Sequence, residues 1–124
     1  MSKPQASSPK TNIALGYVRV KGQSGNAQIE RDRQVAGIEI ACQWQGWKPE
    51  IYEDTDQTYS AMHMNRPGWN ALQARLADAD VVALVVDDPT RVTRNEAVWS
   101  QLIDDLQARG IRLHLVALQQ TIQL

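Results

Sequence analysis

Four arginines occupy positions in this chain where strands end or helices begin: Arg19 in YVRV, Arg66 in NRPGW, and Arg91 and Arg94 in DDPTRVTRN. A guanidinium is planar, permanently charged and presents paired donors. A set that converges on one point can hold a phosphodiester and neutralise the charge that develops as a phosphoryl group is transferred. Arg91 and Arg94 are three residues apart and share a face if the following helix has already begun. The same residues also read as solvated arginines paired with Glu53, Asp54, Asp87 or Asp88. Between Gly22 and Gly25 lies Ser24, either a loop or cap hydroxyl or a nucleophile activated by nearby cations. Lys21 opens that loop.

The elements that must position these side chains follow from hydrophobic patterning. Ile13, Leu15, Val18 and Val20 predict a buried strand near 13–20. Ile29, Val35, Ile38, Ala41, Cys42 and Trp44 recur mostly at three- and four-residue spacing and predict a helix from Asn26, as N-cap, to about Gln45, stopped by Gly46. WKPEIYED is a short second strand ending in acids, followed by the polar connection DTDQTYSAMHMN. Pro67 suits the first turn of a second helix, with Trp69, Leu72 and Leu76 on one face, ending near Ala79. VVALVV (81–86) is the continuous apolar run of a central strand covered on both faces. A third helix carries Val98, Trp99, Leu102, Ile103 and Leu106 to Gly110, and IRLHLVAL (111–118) is the fourth strand. Alternation of this kind predicts an α/β domain of three layers, with a mostly parallel sheet of four to five strands and helices on both faces. Ligands of such sheets bind beyond the carboxyl ends of the strands, where the arginines fall.

Composition bounds the partners. The 124 residues are 43% hydrophobic and 22% charged with a formal net charge of −1, so no global basic field draws the chain to nucleic acid or to a membrane. Cys42 is the single cysteine and no apolar run reaches the length of a span, which fits a cytoplasmic protein without disulfides. Residues 1–12, MSKPQASSPKTN, read as a disordered leader before a domain at 13–124. His63 and His114 have no ligand spacing, so no metal is expected, nor any cofactor. Trp44, Trp47, Trp69 and Trp99 are expected to pack in the core or at its rim, and Met62 and Met64 offer a hydrophobic contact for an oligomer.

The ordered set of Tyr17-x-Arg19 after the first strand, Arg66-Pro67-Gly68-Trp69, and Arg91-x-x-Arg94 after an apolar strand resembles the catalytic domain of the serine recombinases, the resolvases, invertases and serine integrases, over about residues 13–122. The resemblance implies a DNA partner, an oligomer of dimer or tetramer form or a mixed assembly with another recombinase, and strand cleavage and exchange by phosphoryl transfer. It implies that Arg19, Arg66, Arg91 and Arg94 gather round the scissile phosphate, and that a serine two residues after the first arginine attacks it. The family's DNA-binding domain, and the long helix before it, would follow Leu124.

This chain departs from that pattern. Lys21 stands at the position of the nucleophile, and Thr90 precedes the paired arginines where an aspartate is usual, with Asp88 two positions earlier. The loop from Lys21 to Gln34 is a few residues longer than is usual for the family. Three readings follow for Lys21: loss of cleavage with DNA or partner binding retained, displacement of the nucleophile to Ser24, or attack by Lys21 itself. Asp54 and Asp56 are read as arginine partners. Outside the recombinases, the alternatives are a non-enzymatic interaction module and a small anion- or nucleotide-binding protein built on GQSGN, which lacks the Walker A and GxGxxG spacings.

Overall fold

The computed structural model describes residues 12–22, 25–56, 66–118 and, as backbone, 120–122. Ser24, Met62, His63 and Met64 lie outside the described residues, as does nearly all of the segment read as a leader. In chain order the elements are β1 (Ile13–Lys21), α1 (Gly25–Gln45), β2 (Lys48–Asp56), α2 (Pro67–Arg75), β3 (Val81–Val86), α3 (Glu96–Arg109), β4 (Arg112–Leu115) and β5 (Gln120–Ile122). Two 3-10 turns, Pro89–Arg91 and Val116–Leu118, link them. The sheet order is β2-β1-β3-β4-β5; the first four strands are parallel and β5 runs antiparallel to β4.

β1 is central, and every residue from Ala14 to Val20 is buried because both of its faces are covered. The period of two sorts its side chains between layers. Leu15 and Tyr17 pack with Trp69, Leu72 and Leu76, and with Leu102 and Leu106 of α3. Ala14, Val18 and Val20 pack on the other side with Ala27, Ile38 and Cys42 of α1. The three-layer α/β fold expected from the patterning is the one observed.

Several boundaries and one face differ from expectation. Ile29 and Trp44 of α1 are 68% and 84% exposed, and the buried face is Ala27, Gln34, Ile38 and Cys42. Ile29 and Trp44 each lie two positions past a buried residue, rather more than half a turn round the helix, so neither can share its face. Trp44 is therefore not a packing residue, whereas Trp47 and Trp69 are buried. Asn26 lies inside α1 and is not its N-cap. α2 ends at Arg75, short of Ala79, and the turn after it is held by Arg75, which pairs with Asp78, Asp80 and Glu50. β2 continues to Asp56, in register with Lys21. β4 stops at Leu115; the chain then tightens into the 3-10 turn, and Ala117 N–H donates to the Asp87 carbonyl (2.8 Å). Asn95 caps α3 by accepting from Ala97 and Val98 N–H, and Gly110 ends it with φ +70°.

Candidate functional site

β1 connects through α1 to β2 on one side and β3 connects through α3 to β4 on the other, so the carboxyl ends of β1 and β3 flank a crevice. Arg19 lies at one lip and the segment Asp87–Arg91 at the other. Pairing of β1 with β3 ends at Tyr17↔Val86, but pairing with β2 continues to Lys21↔Asp56. Arg19 thus has main-chain groups that β3 no longer reaches. Gln34, buried on α1, takes over: its Nε2 donates to the Arg19 carbonyl (3.0 Å) and its Oε1 accepts from the Arg19 N–H (3.3 Å). A polar side chain thereby completes a ladder that the strands leave open, as buried main-chain groups require.

Three of the four arginines come together through carbonyl oxygens. Arg19 Nη1 donates to the Thr90 carbonyl (3.5 Å), Arg91 Nη1 to the Arg19 carbonyl (3.4 Å), and Arg66 Nη1 to the Arg91 carbonyl (3.3 Å). Arg19 and Arg66 are buried, at 8% and 4% exposure. Arg66 also donates to the Tyr17 hydroxyl (3.3 Å), which donates to Asp54 Oδ2 (2.7 Å). Burial pushes the Tyr17 phenol well above the ordinary tyrosine range. Among the described residues Asp54 pairs with no arginine: its carboxylate accepts from Gly68 and Trp69 N–H (2.8 Å each), anchoring the N-terminus of α2 and with it Arg66.

Arg94 is exposed and makes no hydrogen bond or ion pair among the described residues. α3 begins only at Glu96, so Arg91 and Arg94 do not share a helical face. Lys21 is exposed at the end of β1, two residues after Arg19 and hence on the same side of the strand. Gly22 follows at φ +80°, its N–H donating to the Asp56 carbonyl (2.6 Å).

Carboxylates complete the cluster. Arg19 pairs with Asp56. Arg91 Nη2 lies 2.8 Å from Glu30 and 3.6 Å from Asp87, and its Nε lies 3.6 Å from Asp88. Asp87 is buried and also accepts from Arg33 (2.8 Å). Asp88 accepts from the N–H and hydroxyl of Thr90. The bonds from Arg33 hold the Glu30 carboxyl below the usual range. Sequence reasoning named neither Gln34, Glu30 nor Arg33. Gln34 was legible as a polar residue in the 27–34–38–42 spacing of the buried face; no pattern marked the other two. Among the described residues no cluster could hold a metal ion.

The family model for the resolvase N-terminal domain matches residues 14–123. The chain belongs to the resolvase N-terminal domain family. As a member it is a site-specific recombinase domain by type. Solved structures share its fold: the N-terminal catalytic domain of TP901-1 integrase (TM-score 0.71, 19% identity, 88% of this chain and 80% of that one). A resolvase family site-specific recombinase from Streptococcus pneumoniae gives a TM-score of 0.68 at 18% identity, over 88% of this chain and 74% of that one. The C-terminal catalytic domain of ISC1926 TnpA, an IS607-like serine recombinase, gives 0.67 at 16% identity, over 82% and 70%. No curated protein matches this chain in sequence. No helix among the described residues is long and apolar enough to cross a membrane.

Proposed function

We propose that this resolvase-type domain grips a DNA phosphodiester through Arg19, Arg66 and Arg91, with Arg94 and Lys21 at the rim, and does not itself cleave the strand. The observation that carries the reading is the linking of three guanidinium groups through the Thr90, Arg91 and Arg19 carbonyls beside a lysine at the end of β1. An ammonium two residues past Arg19 tightens the hold on a ground-state phosphate. It offers no hydroxyl for displacement, and rate depends on what the transition state gains over bound substrate. A subunit with no nucleophile contributes to strand exchange only beside subunits that carry one, so its partners are DNA and an active recombinase, in a mixed oligomer.

The test is a covalent-adduct assay. The protein is incubated with duplex DNA, denatured, and examined for protein linked to a strand. No adduct is expected from the native chain. An adduct that forms in the native protein and disappears in Ser24→Ala overturns the reading and makes Ser24 the nucleophile; one that disappears only in Lys21→Ala assigns the attack to the amine.

A further inference from the structure

Two nitrogens of the Arg91 guanidinium donate within the protein, Nη1 to the Arg19 carbonyl and Nη2 to Glu30, while Nε is buried without a hydrogen bond among the described residues, 3.6 Å from Asp88. A phosphate that takes the Nε–Nη2 edge as a two-point partner meets Glu30 on Nη2. Asp87 is buried against Arg33, and Asp88 spends an oxygen on Thr90. Glu30 differs from both. Its Oε2 takes Arg91 (2.8 Å), Arg33 (2.6 Å) and Gln34 (3.2 Å), and its Oε1 takes Arg33 Nε (2.9 Å). If it lets go of Arg91 it keeps a two-point pair with Arg33 and so retains its countercharge. The Glu30 and Arg91 side chains are 31% and 24% exposed, so an incoming anion reaches the pair from solvent.

We propose that Glu30 is an internal anion that occupies Arg91 in place of the DNA phosphate, handing the guanidinium over while it keeps its two-point pair with Arg33. The inference rests on the phosphate-binding reading above. A competitor and a positioning residue predict opposite signs: removing the charge of a competitor strengthens DNA binding, whereas removing a group that orients Arg91 weakens it.

The test measures binding of the chain to a short fluorescent DNA duplex by anisotropy across a salt series. Asp104→Asn, an exposed acid on α3, controls for the change in net charge. Glu30→Gln keeps an acceptor for Gln34 and is expected to bind about threefold tighter than Asp104→Asn, the scale of a partly exposed ion pair. One added phosphate contact also steepens its log–log salt slope by about 0.9. Arg33→Gln strips Glu30 of its second partner and is expected to bind more weakly than Arg109→Gln, which removes an exposed charge at the far end of α3. Equal or weaker binding by Glu30→Gln than by Asp104→Asn, with the native circular dichroism retained, overturns the inference and leaves the phosphate site standing. Binding that is indifferent to Arg91→Gln overturns the phosphate site, and the inference with it.

Discussion

Asp54→Ala is the substitution that most directly couples the fold to the site. The carboxylate accepts three hydrogen bonds, from Gly68 N–H, Trp69 N–H and the Tyr17 hydroxyl, at 2.8, 2.8 and 2.7 Å. α2 has no other cap, since the Arg66 side chain makes no capping bond. Loss of a helix cap costs about 1–2 kcal/mol. A hydroxyl left without an acceptor costs a further ~1–3 kcal/mol, and Tyr17 is fully buried. The two terms share one side chain and do not add cleanly, so the expected loss is about 3 kcal/mol, on the order of 15 °C in melting temperature for a domain of this size. Urea denaturation followed by tryptophan fluorescence reads both, because Trp69 stands edge-on to Tyr17 at 5.0 Å between ring centroids. Asp54→Asn keeps one acceptor and should lose about half as much. A loss below about 1 kcal/mol in Asp54→Ala would show that water satisfies the α2 terminus, and the argument that Asp54 sets the place of Arg66 would fail.

A methyl group at Gly68 would sit 2.8 Å from the Glu53 carbonyl carbon and closer still to its oxygen, so Gly68→Ala should cost about 2 kcal/mol or more in a denaturant titration. Gln34→Leu removes both bonds to the Arg19 main chain and should destabilise by about 2–3 kcal/mol, with faster amide exchange at Arg19 than at Tyr17. Burial pushes the Cys42 thiol up to about 11, so a thiol-reactive dye at neutral pH should leave the native chain unlabelled and modify it fully in urea. Burial lowers the His114 pKa below its unfolded value, so the unfolded chain binds the proton more readily and stability falls as pH drops through the ordinary histidine range. The urea midpoint should decline between about pH 7.5 and 5.5, a slope that His114→Gln should flatten.

The order of elements was legible because each strand and helix carries its own period. VVALVV reads as a central strand since only full coverage tolerates six apolar residues in a row, and that is where β3 lies. The α1 face was misread because Ile29 and Trp44 are apolar residues that the fold leaves in water, and hydrophobicity alone does not tell an unburied residue from a buried one. Tyr17, Arg19, Arg66 and Arg91 were legible as residues at strand and helix ends. Asp56 was legible as an arginine partner and pairs with Arg19, and Asp87 and Asp88 lie by Arg91 as the sequence allowed, but Glu30 and Arg33 were not: Glu30 meets Arg91 across 61 residues of chain and Arg33 meets Asp87 across 54. Such pairings are set by how α1 lies on the sheet, which no local spacing encodes.

The bonds that Arg19, Arg66 and Arg91 make to the Thr90, Arg91 and Arg19 carbonyls have an evolutionary consequence. Arg19 and Arg66 satisfy the Thr90 and Arg91 carbonyls, and Arg91 adds a second donor to the Arg19 carbonyl that Gln34 already holds, so replacing these residues lowers stability. Because proteins sit only slightly above the stability they need, mutations at these positions are purged even when strand cleavage no longer matters. Lys21, on the exposed tip of β1 and outside that web, is under no such restraint. A lineage can therefore change the residue at this position and still display the same arginine set, and the presence of that set in a genome counts domains of this shape, not reactions.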